Sequence, residues 1–247
     1  MQLTELVFDN KADARGWVWD RLQAERLARF PFPPHGRIPN FVGADLAAKR
    51  LFQESPWKDA QQIKVNPDSP QREVRFRALE KGIRVFVPTP RLTGGFHLLD
   101  PEDIAPADYQ AAATLSSMAD YSRSVALSEM PQLDAIVTGC AAVTRAGKRC
   151  GKGEGYSDIE FALLRELGHD AVPVATTVHD AQLVTDFPTE ANDLPLTLIC
   201  TPTETIRIEK PLPAPEGIDW SRLDEADLER MPLLIDLQAE IGKREKH

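Results

Sequence analysis

With 247 residues, 42% of them apolar and 27% charged, the chain has the make-up of a soluble globular protein that can bury one sizeable core. Its formal net charge of −9 argues against a non-specific nucleic-acid or anionic-membrane binder but leaves room for a local basic pocket. Without an apolar run near the roughly 18 residues of a membrane span, and without a basic-then-apolar start in Met1–Asn10, the expectation is a cytoplasmic protein.

The first predicted element is an amphipathic helix over Lys11–Arg29, in which Ala14, Val18 and Leu22 share a face and Asn10 is the cap. Phe30–Phe41 carries Pro31, Pro33, Pro34 and Pro39, which excludes regular structure. Its apolar content predicts packing on the core rather than a free linker. Ala44–Gln53 reads as helix. The chain then alternates. Gln61–Asn66 is a strand, and Gln71–Lys81 is a helix stopped at Gly82. Ile83–Val87 is a strand stopped at Pro88. Asp134–Gly139 is a near-continuous apolar strand of the kind buried on both faces of a parallel sheet. Tyr156–Leu167 is a helix with Ile159, Ala162, Leu163 and Leu167 on one face and Gly168 as its stop. Val172–Val178 and Leu196–Cys200 are strands, Lys210–Pro215 is a surface crossing, and Ser221–Arg244 is a helical tail restarted at Pro232.

This alternation predicts an α/β fold with a mostly parallel, doubly wound sheet, as a single domain over 1–247. Ligands of such sheets sit beyond the carboxyl ends of the strands. The loop after Asp134–Gly139 and the pair His179–Asp180 occupy that position in sequence order. Cys140, Cys150 and Cys200 match no zinc spacing and no disulfide framework, so they read as small buried hydrophobes.

The segment Arg149–Asp158 carries the chemistry. Gly151, Gly153 and Gly155 free the backbone for close approach by a ligand. A helix follows at once, with N–H groups and a dipole that favour an anion. Arg149 and Lys152 add countercharge, with Lys148 nearby. The spacing is neither a Walker loop nor the dinucleotide fingerprint, and by spacing alone a glycine-rich turn before a helix stays open as the alternative.

Arg149–Asp158 resembles the Arg-x-Gly-x-Gly-x-Gly-Tyr-Tyr-Asp signature of the 5-formyltetrahydrofolate cyclo-ligases (methenyltetrahydrofolate synthetases). Lys11 and Arg15 resemble that family's basic Lys-x-x-x-Arg pair, and Glu190–Asp193 before Leu196–Cys200 resembles its late aspartate-then-strand segment. Arg29–Pro33, His35–Phe41, Val87–Leu92 and Thr177–Asp180 are similar to the methenyltetrahydrofolate synthetase domain-containing branch. The resemblance implies a three-layer α/β/α fold and MgATP-dependent conversion of 5-formyltetrahydrofolate to 5,10-methenyltetrahydrofolate. In that reaction the formyl oxygen attacks the γ-phosphate, and N10 closes the ring as phosphate leaves. The resemblance places Lys152 and Tyr156 at the reacting centre. It gives Lys11, Arg15, Arg149, Gly151, Gly153 and Gly155 to ATP, and Asp158 and Asp193 to Mg2+. A folate would be the small-molecule partner.

Three positions depart from the pattern: Ser157 stands for the second tyrosine, Glu154 puts an anion in the loop, and Thr197 stands where many members have a second late aspartate. Glu154 is expected to turn from the phosphates toward Arg149, Lys148 or an arginine of Arg29–Phe41. His35 and Arg37 are expected either to wall the pocket or to pin their loop, and Arg91 either to meet an anion or to lie on the surface. His179–Asp180 reads as a turn, and Trp17, Trp19, Trp57 and Trp220 as packing residues. A non-catalytic or RNA-associated binding protein and an enzyme of thiamine metabolism are the alternative functions.

Overall fold

The computed structural model describes residues 6–244, excluding the side chains of Arg91, Glu240, Lys243 and Arg244. Eight strands form the central sheet. In chain order they are β1 (Gln62–Val65), β2 (Arg84–Pro88), β3 (Phe96–Leu99), β4 (Arg123–Val125), β5 (Ala135–Thr138), β6 (Val174–Thr177), β7 (Leu198–Cys200) and β8 (Thr205–Arg207). Their spatial order is β8-β7-β6-β5-β1-β2-β3-β4. The run from β7 to β2 is parallel, while β8, β3 and β4 join by antiparallel pairing. The chain leaves β1 for β2 on one side and returns to β5 on the other. The topological switch therefore lies between β1 and β5, where such sheets bind ligands.

Alternation along the strands sorts the core into two layers. In β5, Ala135 and Val137 face one cluster with Leu51, Trp57, Val74 and Leu79. Ile136 faces the other, with Phe161, Leu164, Leu234 and Leu237. Helices Ala44–Leu51 and Arg72–Glu80 cover the first face, and Tyr156–Glu166 and Leu233–Arg244 cover the second. This is the expected three-layer arrangement.

The N-terminal helix spans Lys11–Ala24, and the Asn10 side chain accepts from the Asp13 N–H as its cap. Ala14, Val18 and Leu22 are fully buried. They pack on a second, small sheet in which Ala142–Thr144 pairs with Arg149–Cys150 and with Leu183–Val184. That hairpin is not evident from hydrophobic period, because strands of two or three residues carry none. The same holds for β4 and β8.

Phe30–Phe41 packs on the core as its composition predicts, but not along its whole length. Ile38 and Phe41 are buried, while Phe30 and Phe32 are exposed. Asn40 and Phe41 ladder with Ala28 and Arg29, and the Asn40 side chain donates to the Phe30 carbonyl. Trp57 is buried, Trp17 and Trp19 pack from the N-terminal helix against the cluster beneath it, and Trp220 packs against the larger core cluster, so all four are packing residues.

Candidate functional site

A cleft of about 600 Å³ opens beside the switch point. The hairpin ending at Cys150 delivers the chain to its edge, and Gly153 and Gly155 turn it with φ of +107° and +73°. A side chain at Gly153 would place its Cβ 2.4 Å from Arg15 Nη1, so the Arg15 guanidinium lies against the loop, and the positive φ there favours glycine. Gly155 caps helix Tyr156–Glu166, whose first turn faces the cleft through Tyr156, Ser157 and Asp158. All ten site residues expected from the sequence line this one cleft: Lys11, Arg15, Arg149, Gly151, Lys152, Gly153, Gly155, Tyr156, Asp158 and Asp193.

Their pairings distinguish their tasks. Arg149 is buried, and its Nη1 donates to Asp158 Oδ1 at 2.5 Å, an oxygen that also accepts from the Leu194 N–H at 2.9 Å. Burial opposes the Arg149 charge most strongly, but Asp158 together with the sulfurs of Cys140 and Cys150 outweighs it and holds the guanidinium above its ordinary range. Lys11 Nζ pairs with Asp193 Oδ1 and lies 3.8 Å from Glu190, while Asp193 Oδ2 accepts from the Glu190 N–H at 2.8 Å. Lys152 Nζ meets Glu154 Oε2 at 2.7 Å. Glu154 thus pairs with Lys152 rather than with Arg149, which holds Asp158, with Lys148, which holds Asp186, or with an arginine of Arg29–Phe41 as expected.

An anion fits this donor set. Among the described residues, the buried Nε atoms of Arg15 and Arg149 have no partner, and a helix N-terminus adjoins them. Magnesium fits Asp158, whose Oδ2 is not engaged by the groups that hold Oδ1. Asp193 is the poorer fit as placed, since each of its oxygens already accepts a hydrogen bond, one from Lys11 and one from the Glu190 N–H. Asp193 anchors Lys11 instead. No group of three or more His, Cys, Asp or Glu suited to a metal occurs among the described residues. Magnesium commonly takes one carboxylate plus phosphate oxygens and water.

The sequence reading passed over the residues at the strand ends. Asp68 follows β1 and lines the cleft. Burial pushes its carboxyl up, against the pull of Lys152, Arg75 and Lys64. Arg75 is buried and donates to the Asn66 carbonyl at 2.5 Å and the Asp68 carbonyl at 3.3 Å, which fixes that turn. Lys64 and Glu160, both buried, form an ion pair beneath the cleft. A lysine inside a β-strand is the one local signal that would have drawn attention there.

Of the other candidates, Arg37 and Cys150 line the cleft. His179 Nδ1 accepts from the Ala181 N–H at 3.0 Å and Asp180 accepts from Thr201 and Thr203, a turn as expected. His35 bonds Asp20 at 2.8 Å and meets the Trp19 ring at a tilt, pinning its loop, while Arg37 lines the cleft. The Arg91 side chain lies outside those described. Thr197 Oγ1 donates to the Val174 carbonyl at 3.0 Å, a strand-pairing role. The three cysteines are buried, and burial raises their thiols, Cys200 to about 12, which disfavours nucleophilic thiolate.

Comparison with known proteins agrees with this architecture. The NMR structure of Aquifex aeolicus 5,10-methenyltetrahydrofolate synthetase superposes with a TM-score of 0.52 over 86% of this chain and 99% of that chain, at 15% identity, a likeness of fold. Methenyltetrahydrofolate synthase domain-containing proteins of Bos taurus and Homo sapiens are 42% and 37% identical over 93% of this chain. The chain spans 62% of the length of each. The sequence model of the 5-formyltetrahydrofolate cyclo-ligase family matches residues 11–202, and the chain belongs to that family.

Proposed function

We propose that the protein catalyses MgATP-dependent conversion of 5-formyltetrahydrofolate to 5,10-methenyltetrahydrofolate, or a closely related ATP-using reaction. The observation that carries this reading is the convergence of Lys11, Arg15, Lys152 and the glycine loop on one cleft beside Asp158. Phosphoryl transfer needs position and charge neutralisation more than acid–base chemistry, and this set supplies both. Lys152 and Arg15 would cradle the phosphates from two sides of the loop. Lys11, held by Asp193, would meet the far end. Magnesium, when bound, neutralises phosphate oxygens, and Asp158 Oδ2 would be its protein ligand. Arg149 serves from beneath by fixing Asp158. Tyr156 would pack on the heterocycle, and Asp68 would accept from its donors.

The test is absorbance-monitored formation of methenyltetrahydrofolate with and without MgATP, paired with thermal melts. Product that depends on MgATP is the expected outcome. MgATP at about 100 times its dissociation constant should add roughly 2.7 kcal/mol of stability. Stabilisation without product would favour a different heterocycle, a reading that Ser157 in place of the family tyrosine supports. Neither stabilisation nor product would refute both.

A further inference from the structure

Beneath the glycine loop, four side chains form one hydrogen-bonded chain. Glu160 pairs with Lys64, Lys64 Nζ donates to Asn66 Oδ1 at 2.9 Å, and Asn66 Nδ2 donates to Ser157 Oγ at 2.9 Å. Asn66 Nδ2 also lies 3.4 Å from Glu160 Oε2. Glu160, Asn66 and Ser157 reach the cleft, while Lys64 is fully enclosed.

The direction of this chain follows from donor inventory. An ammonium has only donors, so the Asn66 atom that meets Lys64 must be the carbonyl oxygen. The amide nitrogen is thereby turned toward Ser157 and Glu160. Ser157 Oγ must accept, and its one proton is left to donate elsewhere. The Ser157 hydroxyl has no second partner among the described residues. A free serine hydroxyl rotates to suit any neighbour. This one is held by a buried ion pair two bonds away. A fully satisfied buried polar network of this kind favours a single arrangement of its members.

We propose that Ser157 is a specificity-determining residue of the cleft: a hydroxyl oriented by Asn66, itself held by Lys64 and Glu160, whose proton is left to read an acceptor atom of the bound ligand. This deepens the function proposed above and rests on it for the choice of ligands. The acceptor is a phosphoryl oxygen of the nucleotide or a carbonyl oxygen or bare ring nitrogen of the heterocycle. Lys64, Glu160 and Asn66 are positioning residues. The substitution of serine for tyrosine then exchanges an aromatic contact for a directed hydrogen bond.

The experiment titrates wild type, Ser157→Ala and Ser157→Thr with MgATP and, separately, with 5-formyltetrahydrofolate, by calorimetry. Ser157→Ala should weaken one of the two by roughly two- to tenfold, the loss of one neutral hydrogen bond, and Ser157→Thr should restore it. The ligand that responds identifies which acceptor is read. Lys64→Leu/Glu160→Leu, which removes both charges together to keep the fold, should weaken the same ligand and leave the other. The Asn66 side-chain amide protons, followed by NMR, should shift in Ser157→Ala and lose protection from exchange in the double variant. Unchanged affinity for both ligands in Ser157→Ala, or an Asn66 amide indifferent to it, overturns the proposal. Wild type that binds neither ligand overturns the proposed function instead, and the Asn66 amide then decides whether the hydroxyl is held.

Discussion

Lys152 stands between two carboxylates, Glu154 two residues along the loop and Asp68 across the cleft. The Glu154 pair is 36% and 45% exposed at its two side chains, so water screens it and it is worth up to about 1 kcal/mol. A phosphate arriving at the loop competes with Glu154 for the same ammonium. Glu154→Gln should therefore tighten MgATP binding by up to about fivefold, measured at fixed magnesium and ionic strength. Weaker binding would show that Glu154 braces Lys152 in a productive pose. The sequence made Glu154 conspicuous as an anion in an anion loop. It could not show which cation answers, because Arg149 and Lys148 are spent on Asp158 and Asp186, partners set by tertiary structure. Asp68 escaped sequence reasoning for the same reason: a lone aspartate before a turn reads as a turn former.

The loop between hairpin and helix was legible because its signals are local: alternate glycines, flanking cations and a helix start. Its support was not. The strand Arg149–Cys150 has two residues and no period, and Arg149 is buried by its pairing with Asp158 nine positions on. The two left-handed glycines serve different ends, and substitution separates them. At Gly155 a Cβ meets nothing within 4 Å, so Gly155→Ala bears only backbone strain of about 1–2 kcal/mol. At Gly153 a Cβ would collide with the Arg15 guanidinium. Gly153→Ala should displace Arg15 and weaken MgATP binding by on the order of tenfold or more, the worth of one charged hydrogen bond. Gly155→Ala should lower the melting temperature with a smaller effect on affinity. Titration and melting of the two variants side by side check this. Equal losses of affinity would mean that the loop's backbone, not Arg15, makes the contact.

At the scale of the molecule, the C-terminal segment is more than a tail. The family match ends at residue 202, yet beyond it Arg222 reaches the cleft and pairs with Glu190, and its Nη1 donates to Asn192 Oδ1 at 2.8 Å. Those residues lie on the loop that carries Asp193 and so Lys11. The crossing before it is pressed on the helix that follows the glycine loop, where Glu166 Oε1 accepts from the Ile218 N–H at 2.9 Å. Leu234 and Leu237 are fully buried in the cluster that contains Phe161 and Leu164 of that same helix. Shared burial predicts shared unfolding. Leu237→Ala leaves a cavity in this cluster and should cost about 2–5 kcal/mol. For a chain of this size that lowers the melting temperature by roughly 4–20 °C. One cooperative transition should move as a whole, with MgATP binding intact at low temperature, because the cavity lies beneath the site rather than in it. Two transitions, of which only the smaller moves, would show instead that the C-terminal helices fold as a separate unit and that residues 1–247 are not a single domain.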